Sequence, residues 1–314
     1  MKNIFLFGEC MIELMTTSRD TSSNTMSQSF AGDVFNTAVY LKRTFTDVKV
    51  NLVTAVGKDE FSIDMIKFFK NESIGTDFVF QSDNKIPGLY SIQLDEHGER
   101  SFTYWRENSA ARQVMQHIDN ESVSALSQGD IFFFSGISLA VIELNARKEF
   151  WLMVAKLKSA GVKIVFDPNY RARMWETPAK AKEQFEQAFS FADTLLPGVD
   201  DFAQLYEITT SEGVFEFCKK YQCNELIIKN GEAGIFAYLD EQAYHFQITP
   251  VKKVVDTTSA GDSFNGVYLG ARVNGFELTE AIKLASKAAG FVIQHKGAIV
   301  DSSAYKQFMK EQKI

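Results

Sequence analysis

The run Val255-Asp256-Thr257-Thr258-Ser259-Ala260-Gly261-Asp262-Ser263-Phe264 holds the residues best suited to chemistry. Small side chains lead into a segment whose apolar members Phe264, Val267, Tyr268, Leu269 and Ala271 fit one side of a helix. A helix start leaves backbone N–H groups unpaired and carries a partial positive charge. Small residues at that point let an anion come close. An aspartate in the first turn then lies beside the anion, within reach of a hydroxyl proton. These are the parts of phosphoryl transfer: N–H donors at 260–262, opened by Ala260 and Gly261, and Asp262 as general base. The same letters also fit an ordinary helix, with Thr258 or Ser259 as its cap and Asp262 answering its dipole.

Other segments offer binding groups. Gly32-Asp33 with Asn36 stands at a helix entry, where a carboxylate and a carboxamide can hold several ligand hydroxyls. Simple capping by Asp33 is the alternative. Tyr90, Tyr104 and Arg106 fall on one face of an expected hairpin. Tyrosine gives an apolar wall with a polar tip, and arginine a fork suited to a carboxylate. An exposed face or a subunit contact has the same pattern. Asn169 and Arg171 follow a strand ending Val165-Phe166-Asp167, and α/β sheets build their sites at such carboxyl ends. Arg171 suits a substrate carboxylate or a transferring phosphate equally. Lys229 and Gly231 also close a strand, where ammonium and backbone groups can approach nucleotide phosphates.

The elements that must position these groups are legible as alternating patterns. Nearly continuous apolar runs at Lys2–Gly8, Val50–Val56, Ile131–Ser135, Lys163–Asp167, Thr194–Leu196 and Glu225–Lys229 read as strands buried on both faces of a parallel sheet. Helical patterns occupy Val34–Arg43, Phe61–Asn71, Glu143–Ser159, Pro178–Phe191, Gly261–Asn274, Thr279–Gln294 and Ser302–Lys310. Such alternation predicts an α/β sandwich with helices on both faces. Lys85–Arg106 breaks the pattern and reads as a β-hairpin turning at Asp95-Glu96-His97-Gly98-Glu99. With Met11–Met15 it makes a small sheet, either a lid over a cleft or a subunit contact. No Pro- or Gly-rich linker divides the chain, so residues 1–314 form one domain with an excursion at 11–15 and 85–107.

Composition bounds the function. With 45% hydrophobic and 23% charged residues in 314, the chain can bury a large core and is not of the disordered class. A formal charge of -7 argues against a diffuse nucleic-acid surface. No apolar run approaches the ~18 residues of a membrane span. Three cysteines are too few and too uneven for a disulfide framework, which fits a cytoplasmic protein. The four histidines show no metal-ligand spacing, and no G-x-x-x-x-G-K-[ST] loop occurs, which excludes a P-loop kinase.

Residues 256–262 resemble the C-terminal signature D-T-x-G-A-G-D of the ribokinase/PfkB family of carbohydrate kinases, with Ser259 where many members have Gly. Ala31-Gly32-Asp33-Val34-Phe35-Asn36-Thr37-Ala38 resembles the family's sugar-binding G-G-x-x-x-N-x-A, and Lys229-Asn230-Gly231-Glu232-Ala233-Gly234 its nucleotide-side K-x-G-x-x-G. The likeness spans nearly the whole chain. It implies a ribokinase-like three-layer α/β/α sandwich with a small β-sheet lid. It also implies ATP, Mg²⁺ and γ-phosphoryl transfer to a sugar hydroxyl. Asn169, Lys229, Gly231, Gly234, Ser259, Ala260 and Gly261 are then the nucleotide residues.

Many family members also hold a monovalent cation such as K⁺ near the positions of Asp256 and Thr258. The family's metal-organising N-x-x-E has its nearest match in Gly198-Val199-Asp200-Asp201, where Asp201 replaces the Glu and acts on Mg²⁺ through water. Gly8–Leu14, Pro87–Tyr90, Ser135–Leu139 and Asp167–Arg171 are most similar to the branch of the family that phosphorylates 2-keto-3-deoxygluconate at C6. In that branch Gly32, Asp33, Asn36, Tyr90, Tyr104, Arg106 and Arg171 surround the sugar acid. A fructokinase or another sugar kinase is the alternative. The expected partners are the sugar acid, ATP and a second copy joined through the lid sheet, with no nucleic acid and no membrane.

Overall fold

The computed structural model describes residues 1–19, 24–94 and 100–312. The chain opens with β1 (Asn3–Phe7), β2 (Met11–Arg19), β3 (Asn24–Ala31), α1 (Asp33–Thr44), β4 (Lys49–Val56), α2 (Glu60–Asn71) and β5 (Gly75–Gln81). The strands β6 (Leu89–Leu94) and β7 (Arg100–Trp105) follow, then the short helices α3 (Val114–His117) and α4 (Asn120–Leu126). Next come β8 (Ile131–Ser135), α5 (Gly136–Val141), α6 (Arg147–Ser159), β9 (Lys163–Asp167) and α7 (Pro178–Phe191). After these stand β10 (Thr194–Leu195), α8 (Val199–Tyr206), α9 (Ser211–Cys218), β11 (Glu225–Lys229), β12 (Ile235–Leu239) and β13 (Gln242–Phe246). The helices α10 (Ala260–Val273), α11 (Leu278–Val292) and α12 (Ser302–Glu311) close the described chain.

Nine strands form the large sheet in the order β13-β12-β11-β10-β9-β8-β1-β4-β5. Neighbours from β11 through β5 are parallel, while β12 and β13 add an antiparallel edge. The unbroken apolar runs now have their reason, because successive side chains enter two different cores. Ile4, Leu6, Ile131, Phe133 and Val165 pack under α1, α10 and α11. Phe5, Phe7, Phe132, Phe134, Ile164 and Phe166 pack on the other face with α6 and α7. Each such side chain, fully buried, stabilises the fold by about 1.5–3 kcal/mol. No described helix is long and apolar enough to cross a membrane.

The smaller sheet has the order β3-β2-β6-β7. Its hairpin pairs Tyr90 with Tyr104 across the two strands. Two expectations are corrected. The strand read as Met11–Met15 runs on to Arg19, and Asn24–Ala31, too polar and too weakly alternating to read as a strand, pairs with it. The turn expected at Asp95–Glu99 lies outside the described residues. The segment Glu143–Ser159 also divides, with a 3₁₀ turn at Leu144–Ala146 before α6.

Two features position the site. The chain lays β4 and β5 on one side of β1 and later β8 to β13 on the other, so the strand order reverses at β1 and a crevice opens at the carboxyl ends. α1 and α10 pack closely enough that a Cβ added at Gly266 would sit 2.3 Å from the Thr37 carbonyl oxygen. That approach brings Asn36 of α1 to Asp262 of α10.

Candidate active site

The carboxyl ends of β9 and β11, the starts of α1, α8 and α10, and the Tyr90–Tyr104 face of the small sheet enclose a cleft of about 1040 Å³. Every site residue nominated from the sequence lines it except Gly234. At Gly234 φ is +105° and an added Cβ would lie 2.4 Å from the Phe246 carbonyl oxygen. This glycine lets β13 approach the loop, and it lies outside the lining of the cleft.

At the centre stands Asp262, whose Oδ2 accepts a 2.9 Å hydrogen bond from Asn36 Nδ2. The N–H of Ala260 is turned onto Thr257 O at 3.2 Å. The N–H groups of Gly261 and Asp262 have no acceptor among the described residues. The expected donor set at 260–262 therefore narrows to 261–262, at the electropositive start of a 14-residue helix. Ser259 caps α10 with its backbone in the left-handed region, φ +65°, and makes no side-chain cap bond. A non-glycine residue there costs about 1–2 kcal/mol. This gives a physical reason for the Gly that the resembled family prefers, and it removes the simple-cap alternative for Ser259.

Asp33 is not a cap either, since it is the first residue of α1 and Gly32 holds the N-cap position without a side-chain cap bond. Its Oδ2 accepts from Ser135 Oγ at 2.5 Å and from Asn169 Nδ2 at 3.0 Å. Asn169 is thereby tied to Asp33 within the cleft. Its φ of +36° is one that Asn tolerates better than most residues.

On the opposite wall Lys229 Nζ lies 3.4 Å from Asp167 Oδ1 and donates to Asn265 Oδ1 at 3.0 Å. Asn265 Nδ2 donates in turn to Asp167 Oδ2 at 2.7 Å, so the ammonium is held from two sides. A Cβ at Gly261 would meet only Lys229 Nζ, 3.9 Å away. That open step between ammonium and free N–H groups fits a phosphate. For a divalent cation, Asp200 and Asp201 line the cleft. They offer the one or two carboxylates that Mg²⁺ takes beside phosphate oxygens. Asp201 accepts from Tyr170 N at 2.8 Å on one oxygen and from Gly198 N at 3.3 Å on the other, which leaves each oxygen a further lone pair.

Along the small sheet, Arg106 already has a partner. The sequence left Arg106 free to read a carboxylate. Its Nη2 instead donates to Glu9 Oε2 at 2.5 Å, with side-chain exposures of 10% and 1%. Arg106 Nε and Glu9 Oε1 remain buried without hydrogen-bond partners. Tyr90 donates to Glu13, which also accepts from Ser29 Oγ at 2.7 Å. Tyr104 stacks on Tyr90 at 5.6 Å. Arg171 donates to Tyr170 O at 2.8 Å and lies 3.8 Å from Asp201.

Crowded carboxylates set the electrostatics. Burial first, and then the charge of Asp33, push Asp262 up to about 7 against the lowering hydrogen bond from Asn36. Burial also raises Asp33. Asp201 is pushed up to about 6 by burial and then by Asp167. A carboxyl poised near neutrality suits proton acceptance.

Glu9, Asp167 and Asn265 were missed as site residues. The first two had a signal, each being an acid at the carboxyl end of an apolar strand. Asn265 has none, because it sits inside a helix pattern.

A model of the pfkB family carbohydrate kinases matches residues 1–304. A 2-dehydro-3-deoxygluconokinase of Haemophilus influenzae is 39% identical over 99% of either chain. One from Dickeya dadantii is 35% identical over 96% of this chain and 98% of its own. Among solved structures, a putative ribokinase II of Escherichia coli in complex with ATP and Mg²⁺ shares the fold, with a TM-score of 0.84 at 21% identity over 99% of this chain and 100% of its own. With the family model matched over nearly its whole length, this chain belongs to the pfkB family of carbohydrate kinases, and its activity is that of a sugar kinase.

Proposed function

We propose that the chain transfers the γ-phosphoryl group of ATP to the C6 hydroxyl of 2-keto-3-deoxygluconate, the sugar acid also called 2-dehydro-3-deoxygluconate. The observation that carries this reading is the seating of Asp262 beside two free backbone N–H groups, Gly261 and Asp262, in a cleft walled by arginines and tyrosines. The names of the full-length relatives support the substrate. Asp33 and Asn36 hold sugar hydroxyls. The C6 oxygen attacks the γ-phosphorus, the bond to the ADP oxygen breaks, and Asp262 receives the hydroxyl proton. Lys229 and the N–H groups of Gly261 and Asp262 face the charge that spreads over the phosphoryl oxygens. Mg²⁺, when bound with the nucleotide, neutralises phosphate charge, and Asp200 and Asp201 would hold it. A monovalent cation such as K⁺ would belong to the loop that Asp256 braces by accepting from Thr258 N at 3.0 Å and Gly297 N at 2.7 Å.

The test is ATP-dependent turnover across keto sugar acids and neutral sugars, with the phosphorylated carbon identified by ³¹P–¹H NMR. The expected result is the highest kcat/KM for 2-keto-3-deoxygluconate and a phosphate on C6. A preference for fructose overturns the substrate, and phosphate on another carbon overturns the geometry.

The small sheet serves in this reading as a lid of a single domain spanning 1–314, and as a contact with a second copy. β7 is an edge strand carrying Trp105 at 57% and Phe102 at 39% exposure, which favours pairing. Small-angle scattering with and without the sugar acid reads both roles. The expectation is a dimer or larger assembly that compacts on binding. A monomer of unchanged radius overturns both roles.

A further inference from the structure

Three arginines line the sugar end of the cleft, and their charges are not equally available. Arg106 is balanced by buried Glu9 at 2.5 Å. A substrate carboxylate docking there would place a second anion on one cation. Arg171 leans on Asp201 at 3.8 Å. Arg173 has no carboxylate within ion-pair reach among the described residues. Its guanidinium lies 3.8 Å from the centre of the Tyr104 ring. A guanidinium on a ring face keeps the N–H donors of its planar edge free. The ring beneath is itself anchored, since Tyr104 stacks on Tyr90 at 5.6 Å and Tyr90 is bonded to Glu13.

We propose that Arg173, clamped on Tyr104, is the specificity-determining residue that binds the substrate's carboxylate, while the Glu9–Arg106 pair acts as a nearly neutral wall. This rests on the reading of the chain as a sugar-acid kinase. The stack holds a long side chain in place before substrate arrives, and its charge is the one on this wall that an acid can pair with and a neutral sugar cannot. The carboxylate end lies far from the reacting C6, so the contact acts on binding more than on turnover.

The experiment compares Arg173→Met, which keeps a stacking stem, and Arg173→Lys with the wild type. Steady-state constants are measured for 2-keto-3-deoxygluconate and fructose, with fructose affinity read by competition where its turnover is slow. A charge-assisted hydrogen bond corresponds to roughly ten- to a hundredfold in binding. The ratio of acid to fructose kcat/KM is therefore expected to fall by that factor in Arg173→Met, chiefly through KM, with Arg173→Lys in between. An unchanged ratio in Arg173→Met overturns the inference while leaving the kinase reading intact. A wild type that neither binds nor phosphorylates the acid overturns both.

Discussion

Asp262→Asn is expected to lower kcat by about 10²–10⁴-fold, the usual contribution of a general base, with nucleotide affinity largely kept. The amide retains the shape and can still accept the hydrogen bond from Asn36 Nδ2, now 2.9 Å long. What it loses is the capacity to take the hydroxyl proton. The pH dependence gives a second readout. Burial and the neighbouring Asp33 hold the Asp262 carboxyl up at about 7 from an ordinary 3.8. The wild-type kcat/KM should thus decline as pH falls below about 7, because the base becomes protonated. Stability runs the other way. A carboxyl raised on folding gives stability that is full below its unfolded pKa and is lost as pH rises through its folded one. Asp262→Asn should therefore be more resistant to urea than the wild type at pH 8, although it is nearly inactive. A variant that keeps near-wild-type kcat, or that keeps the same acid limb, would show that another group takes the proton.

The start of α10 that lines the cleft was legible because its parts are neighbours in sequence. A helix start, small residues and Asp262 lie within a few positions, and local chemistry constrains what such a run can do. The strands were legible for a different reason. Ile4 and Leu6 face one core and Phe5 and Phe7 the other, so two-sided burial leaves an apolar run that no surface strand shows. β3 was missed because Asn24–Ala31 has little apolar content to betray it. Asn169 illustrates another limit. The sequence gives it a strand end, but only the fold, which brings the carboxyl end of β9 to the start of α1, decides that its amide meets Asp33. Partners brought together by the fold from distant positions leave no local mark, and the sugar wall is made almost wholly of them.

Arg106→Ala is expected to cost far more in stability than in substrate choice. Arg106 and Glu9 lie 97 positions apart and meet in a buried ion pair. Removing the guanidinium strands the Glu9 carboxylate, which is 1% exposed and already has one oxygen without a partner. Breaking one side of a buried pair typically costs about 3–5 kcal/mol, because the remaining charge has lost both its water and its partner. Replacing both members with neutral residues of similar size is much milder. Urea unfolding of Arg106→Ala, Glu9→Gln and the Glu9→Gln/Arg106→Met double variant measures this as a cycle. The expected result is a loss of about 3–5 kcal/mol in Arg106→Ala, most of it recovered in the double variant. The kinetic counterpart is a similar fractional loss on acid and neutral sugars in Arg106→Ala, since the wall itself shifts. This contrasts with the acid-selective loss expected at Arg173. A stability change below about 1 kcal/mol in Arg106→Ala, or a double variant as unstable as the sum of its parts, would mean that the pair is not held as a buried unit. In that case the charge of Arg106 would be available to the substrate after all.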